Sequence, residues 1–174
     1  DPFTQFSSRL KALHEVGHPT DKIELLILGG SWTAYPASYR EWFIRRCFEA
    51  LNQENPNDDI GEVSLADVQK TNSQARHRNV GLVVETRPDL ITIENLVEMR
   101  RQGVTKMQLG IQSMDDRILQ LNKRGHSAEE AEEAIRLVRA AGYKVVVHWM
   151  PNLLGATPQS DREDFARLWR EGGV

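Results

Sequence analysis

The chain has 174 residues and a formal charge of −3, enough for one domain with a real core but short for a complete α/β barrel. Such a charge gives no overall basic footprint for nucleic acid, and the single cysteine, Cys47, excludes a disulfide framework or a cysteine cluster within the chain. No apolar run approaches the length needed to cross a membrane.

Thr4 to Val16 carries Phe6, Leu10, Leu13 and Val16 at helical spacing and is stopped by Gly17-His18-Pro19. A strand over Ile23 to Leu28 closes on Gly29-Gly30. Pro36 opens a helix through Leu51, with Trp42, Phe43, Cys47, Phe48 and Leu51 predicted on its buried side. Asn52 to Gly61 reads as a loop and Ser64 to Ala75 as a weaker helix. The second strand ends at Glu85, because Pro88 prevents smooth continuation, and Thr92 is placed to cap a helix that ends near Gly103.

The third strand alternates, with Lys106, Gln108, Gly110 and Gln112 on one face and Met107, Leu109 and Ile111 on the other. That pattern suits a barrel wall packing outward on helices and lining a polar cavity inward. Ser113 with Asp116, and Ser127 with Glu130, have N-cap and N3 spacing for two further helices. Ala131, Ala134, Ile135 and Val138 form the stripe of the second, and Gly142 ends it. The fourth strand starts at Lys144 and runs into His148-Trp149-Met150-Pro151; Thr157-Pro158 opens the last helix.

Strands and helices therefore alternate, the pattern of a parallel α/β sheet with right-handed crossovers. The expected fold is α/β, a partial parallel (β/α) barrel filling residues 1–174 as one domain. Asp1-Pro2 at one end and Gly172-Gly173-Val174 at the other read as cuts through a longer barrel. In such folds chemistry is built at the C-terminal rim of the strands.

The rim offers several motifs. Gly29-Gly30 lets a ligand approach the backbone, or simply makes a tight turn. Glu85-Thr86-Arg87-Pro88-Asp89 can hold a polar ligand through a carboxylate and a guanidinium, or can staple its own loop with an ion pair. Gln108 and Gln112 offer amides to ribose hydroxyls or a polar base, or face solvent on an edge strand. Lys123-Arg124-Gly125-His126 can bind a carboxylate or phosphate, although a solvated basic loop is the simpler reading. Trp149 and Met150 can pack on a planar ligand or on the core. The five histidines show no metal-ligand spacing, and Cys47 on the apolar side of a helix reads as a structural thiol.

In sequence order, Asp1-Pro2-Phe3, Gly17-His18, Asp21-Lys22, Gly29-Gly30-Ser31-Trp32, Tyr39-Arg40, Glu85-Thr86-Arg87-Pro88-Asp89, Gln108-Leu109-Gly110-Ile111-Gln112-Ser113, Arg124-Gly125-His126 and Met150-Pro151 resemble the radical S-adenosylmethionine domain of the Elongator catalytic subunit family. The resemblance implies a barrel of the radical SAM type in a cytoplasmic enzyme. That enzyme modifies C5 of the tRNA wobble uridine with a carboxymethyl-type group drawn from acetyl-CoA. Its cofactors would be a 4Fe-4S cluster and S-adenosylmethionine, whose cleavage gives a deoxyadenosyl radical that activates the acetyl donor.

Carried over by position, the resemblance makes Gly29, Gly30, Glu85, Arg87, Gln108, Gln112, Arg124 and His148 candidates for S-adenosylmethionine and Lys22 a candidate for acetyl-CoA. The family's three cluster cysteines and its acetyltransferase domain have no counterpart here, so no metal ligand, bound cofactor or radical activity is expected of this chain alone. Asn152 and Leu154 stand where the family usually has Asp and Pro. Basic residues for tRNA would have to concentrate at Arg45-Arg46, Lys70 with Arg76 and Arg78, Arg100-Arg101 and Lys123-Arg124. Other Elongator-type subunits or a second copy are implied partners; a membrane is not. Two alternatives stand beside this: a barrel lyase or hydrolase using Glu85 and His148 as acid and base, and a non-catalytic assembly module.

Overall fold

The computed structural model describes residues 1–52 and 63–170. Beyond Asn52, the expected Asn52–Gly61 loop lies outside the described residues, and so does Gly172-Gly173-Val174. The elements are α1 (Pro2–Glu15), β1 (Lys22–Ile27), α2 (Ala37–Asn52), α3 (Leu65–Asn72), β2 (Arg78–Thr86), α4 (Ile93–Arg101), β3 (Lys106–Gln112), α5 (Asp116–Leu121), α6 (Ala128–Ala140), β4 (Lys144–Trp149) and α7 (Pro158–Arg170). Short 3-10 turns cover Trp32–Ala34 and Pro88–Leu90. Among the described residues the strands form one sheet in the order β1-β2-β3-β4, with β2, β3 and β4 parallel. This is the architecture expected of a partial parallel β/α barrel. The chain divides into two compact units, residues 1–26 with 35–82 and residues 27–34 with 83–174.

In the first unit, α1 starts before Thr4 because the Asp1 carboxylate caps it, accepting from the Thr4 N–H at 3.3 Å, with Pro2 in the first turn. Phe3 is buried and carries the Arg46 guanidinium 4.9 Å above its ring. The buried face of α2 runs through Arg40, Ile44, Cys47, Phe48 and Leu51. This corrects the expected stripe. Trp42 is on the other flank and 37% exposed, where it joins Tyr35 and Tyr39 in a ladder of rings 5.3 and 5.6 Å apart. The i, i+4, i+7 rows of a helix cannot hold positions 42 and 44 on one face. Arg45 and Arg46 both bind the fully buried Glu49, so this pair is no free basic patch. Asn72 closes α3 onto the chain around it: its amide donates to Asn52 Oδ1 and to the His77 carbonyl, and it accepts from Asn79 N–H.

In the second unit, Val83, Val84, Met107, Leu109, Ile111, Met99, Ile135 and Val138 are buried at 0–1% exposure and form a continuous apolar interior. Thr92 caps α4 and Ser127 with Glu130 makes a complete capping box for α6, both as expected. The cap of α5 differs. Asp115, not Ser113, accepts from the Arg117 and Ile118 N–H groups, which leaves the Ser113 hydroxyl for another partner. β3 pairs evenly with β2 from Lys106 to Leu109. Against β4 the register holds from Lys106 to Leu109 and then shifts, so that Gln112 faces Trp149. Three steps along β3 match two along β4, a one-residue bulge at the C-terminal rim.

Candidate functional site

The rim is assembled from the strand ends of the second unit. Glu85, next to last in β2, is opposite Gln108 in β3. One Glu85 oxygen accepts from the Gly29 N–H at 3.2 Å and the other lies 3.4 Å from His148 Nδ1. His148 Nε2 meets Gln108 Oε1 at 2.7 Å. One polar chain thus runs from the loop after β1 through β2 and β4 to β3. The Thr33 and Thr86 hydroxyls meet at 2.7 Å and hold the same loop to the end of β2. Gly29 and Gly30 have φ of +106 and +137, and nothing lies within 4 Å of where a Cβ would project from either. That backbone is open, as a ligand-facing glycine pair needs and a packed turn does not.

The β3 bulge frees two carbonyls. Arg124 Nη2 donates to the Gly110 carbonyl at 3.0 Å and His126 Nε2 meets the Ile111 carbonyl at 3.1 Å. The loop between α5 and α6 is therefore not a solvated basic loop: Arg124 and the buried His126 turn inward, and Lys123 alone of that motif's cations is exposed. The missing Cβ of Gly110 would meet Gln112 Nε2 at 3.3 Å and Arg124 Nη2 at 3.6 Å. Both side chains pack against Gly110, and a residue without a Cβ lets them come this close. Gln112 Oε1 and Arg124 Nε are buried with no hydrogen-bond partner among the described residues. A buried acceptor beside a buried charged donor is costly unless a ligand completes it.

The other candidates lie differently. Arg87 is bound to Asp89 through Nε at 2.9 Å and Nη2 at 2.7 Å, the loop-stapling ion pair. Lys22 is the exposed first residue of β1, whereas Gly29-Gly30 follow its last. The Trp149 indole N–H donates to Asp164 and its ring packs on Phe165 at 5.2 Å, so it serves the fold. Met150 is 48% exposed. Asn152 takes φ +59, a left-handed angle asparagine tolerates, and its N–H donates to Asp161, which settles how this loop runs with Asn in place of Asp. Burial pushes the Cys47 thiol up to about 12, so it is no thiolate at neutral pH. Among the described residues no three His, Cys, Asp or Glu side chains come together as a metal site.

Sequence reasoning missed Thr33 and Asp164 and gave Thr86 and Ser113 other roles. Threonine in a loop and Asp in a helix carry no signal of their own; the fold supplies their partners, Thr86 for Thr33 and the exits of β3 and β4 for Asp164.

A parallel β/α sheet with an open glycine pair, a carboxylate, amides and a guanidinium at its C-terminal rim has the arrangement from which barrel folds build their sites. A family model described as the radical SAM superfamily matches residues 9–168, and the chain belongs to that superfamily. It is 41% identical over 169 residues to the tRNA uridine(34) acetyltransferase of Methanocaldococcus infernus, covering 97% of this chain and 30% of that protein. Elongator complex protein 3 of Mus musculus is 33% identical over 169 residues, again covering 97% and 30%. A solved structure of the archaeal M. infernus Elp3 with an N-terminal deletion superposes with TM-score 0.90 at 41% identity, covering 97% of this chain and 38% of that one. The chain thus spans about a third of the length of these relatives.

The rim's side chains match the polar groups of S-adenosylmethionine in chemical type. That molecule brings an ammonium, a carboxylate and ribose hydroxyls, and so can supply a donor to Gln112 Oε1 and an acceptor to Arg124 Nε. An iron–sulfur cluster finds no fit: Cys47 is buried and alone, and no His, Cys, Asp or Glu trio stands near enough among the described residues.

Proposed function

We propose that this chain is the S-adenosylmethionine-binding part of an enzyme that modifies uridine 34 of tRNA, acting in the cytoplasm with acetyl-CoA as the source of a carboxymethyl-type group. The observation that carries the reading is the pair of buried polar atoms at Gly110, Gln112 Oε1 and Arg124 Nε, neither with a hydrogen-bond partner among the described residues. The names of the relatives supply the substrate, tRNA uridine(34), and the acetyl transfer. When bound, S-adenosylmethionine supplies one-electron chemistry. In the enzyme that contains it, its 4Fe-4S partner must be held by residues other than those described here.

The chain's own residues bind and orient. Arg124, anchored on the Gly110 carbonyl by one nitrogen, keeps its Nε for a carboxylate. Glu85 accepts an ammonium or hydroxyl next to the open Gly29-Gly30 backbone, and His148 and Gln108 fix the carboxylate's direction. Both His148 nitrogens already face a partner, which speaks against an acid–base barrel enzyme using Glu85 and His148. Gln112 reaches the ligand from the bulge. Arg87 and Lys22 keep secondary assignments, to the cofactor and to acetyl-CoA. For tRNA, the exposed Lys70, Arg76, Arg78, Arg101 and Lys123 remain. Other Elongator-type subunits or a second copy are the protein partners this reading allows.

The test is S-adenosylmethionine binding to the full-length protein carrying this chain, reconstituted anaerobically with iron and sulfide. Arg124→Ala removes a charge-assisted contact and is expected to weaken binding by about tenfold to a hundredfold. A preparation with its full iron complement and no affinity for the cofactor overturns the proposal.

A further inference from the structure

Gln112 is held in a conformation that side chains avoid. Its φ is +69, and the Ser113 N–H closes a three-residue turn onto the Ile111 carbonyl at 2.9 Å. A left-handed residue at the centre of such a turn is strained, and it persists only where its surroundings over-determine it. Here the surroundings converge on one carboxylate from α7. Asp164 is 7% exposed. Its Oδ2 accepts from the Ser113 hydroxyl and from Trp149 Nε1, each at 2.8 Å, and its Oδ1 accepts from the Met114 N–H at 2.8 Å. Arg167, one turn on, donates to the Met114 carbonyl. The Met150 N–H closes the other side by donating to the Gln112 carbonyl at 2.9 Å.

These contacts grip the chain on both sides of the rim. Ser113 and Met114 follow Gln112 directly; Trp149 follows His148. A single buried acceptor therefore fixes the exit of β3 and the exit of β4 together. Three donors engage both oxygens of the carboxylate.

We propose that Asp164 is a positioning residue: by clamping the exits of β3 and β4 it holds the strained Gln112 so that its amide stays beside Arg124 against Gly110, ready for the donor and acceptor groups of S-adenosylmethionine. The ligand part of this rests on the function proposed above; the clamp itself rests on the hydrogen bonds and on the φ of Gln112. Asp164 touches no ligand and acts through the turn. Substituting it lowers affinity by letting Gln112 relax.

A double-mutant cycle tests it in the full-length protein, with S-adenosylmethionine affinity and the thermal midpoint both measured. Asp164→Asn keeps the shape and removes the charge. It is expected to lower the midpoint and to weaken binding by about tenfold. Gln112→Gly is expected to raise the midpoint, because glycine accepts the turn without strain, and to weaken binding. Combined, the two should show coupling: Asp164→Asn costs less midpoint, and almost no further affinity, once Gln112 is glycine.

If Asp164→Asn lowers the midpoint while affinity stays within about twofold of the wild type, the carboxylate is structural only and the proposal fails. Equal losses with and without Gln112 overturn it as well. A wild-type protein with no affinity for S-adenosylmethionine would sink the cofactor reading instead. The clamp would then be judged on the midpoint coupling alone, coupling supporting it and additivity overturning it. Should Asp164→Asn fail to fold, Ser113→Ala, which removes one of the donors, takes its place in the same cycle.

Discussion

From Lys106 to Leu109, β3 is an ordinary ladder; from Gly110 to Met114 it is not. In the first stretch each residue has a registered partner on β2 and on β4. Met107 and Leu109 are fully buried, and the backbone polar groups are satisfied by the neighbouring strands. In the second stretch the bulge breaks the ladder, and side chains from elsewhere meet much of it: Arg124 on Gly110, His126 on Ile111, Asp164 on Ser113 and Met114. The regular stretch is held by packing and by its own ladder. The irregular stretch is held by long-range polar contacts, and it is the one left with unpartnered polar atoms. Stability and ligand binding should thus be separable along this one strand, and substitutions can show it.

The largest effect should come from Gly110→Val. A Cβ there meets Gln112 Nε2 at 3.3 Å and Arg124 Nη2 at 3.6 Å, and the branched methyls would push both side chains from their places. S-adenosylmethionine affinity of the full-length protein is expected to fall by about a hundredfold, while its far-ultraviolet circular dichroism stays that of the wild type. Retained affinity would show that Gln112 and Arg124 do not hold the ligand.

Met107→Ala tests the regular stretch. Met107 is fully buried, and shortening it leaves a cavity worth about 2–5 kcal/mol of stability. Chemical denaturation should show this loss, with cofactor affinity of the folded protein unchanged within about twofold. An affinity loss as large as that of Gly110→Val would erase the distinction between the two stretches.

The regular stretch could be read from the sequence and the irregular one could not, for a physical reason. Alternation of Met107, Leu109 and Ile111 with Lys106, Gln108 and Gln112 is a local signal with the period of a strand. The capping box of Ser127 and Glu130 is equally local. The turn at Gln112 has no such signal, because a left-handed glutamine is set by its surroundings rather than by preference. Arg124 reads as a solvated cation until the bulge presents the Gly110 carbonyl, and Ser113 reads as a helix cap until Asp164, some 50 residues away, claims its hydroxyl. The proposal that the rim is a cofactor site came from resemblance across many motifs, and the rim's geometry from the fold. Trp42 shows the opposite failure, a large apolar residue assigned to the core on type alone although its helical position points it outward.

Arg87 and Arg124 carry the comparison to its smallest effect. Both are arginines near the ends of the central strands, and both match the family pattern. Arg87 follows β2 where the ladder is intact, and its guanidinium is gripped from two nitrogens by Asp89. Its side chain is 43% exposed, so the pair is worth about 0–1 kcal/mol of stability. Arg124 has spent one nitrogen on a backbone carbonyl and keeps Nε buried without a partner. Arg87→Ala should therefore shift the thermal midpoint slightly and reduce S-adenosylmethionine affinity far less than Arg124→Ala, measured side by side under the same reconstitution. Equal losses would mean that Asp89 releases Arg87 when the ligand arrives, and that the intact side of the rim takes part in binding as fully as the broken one.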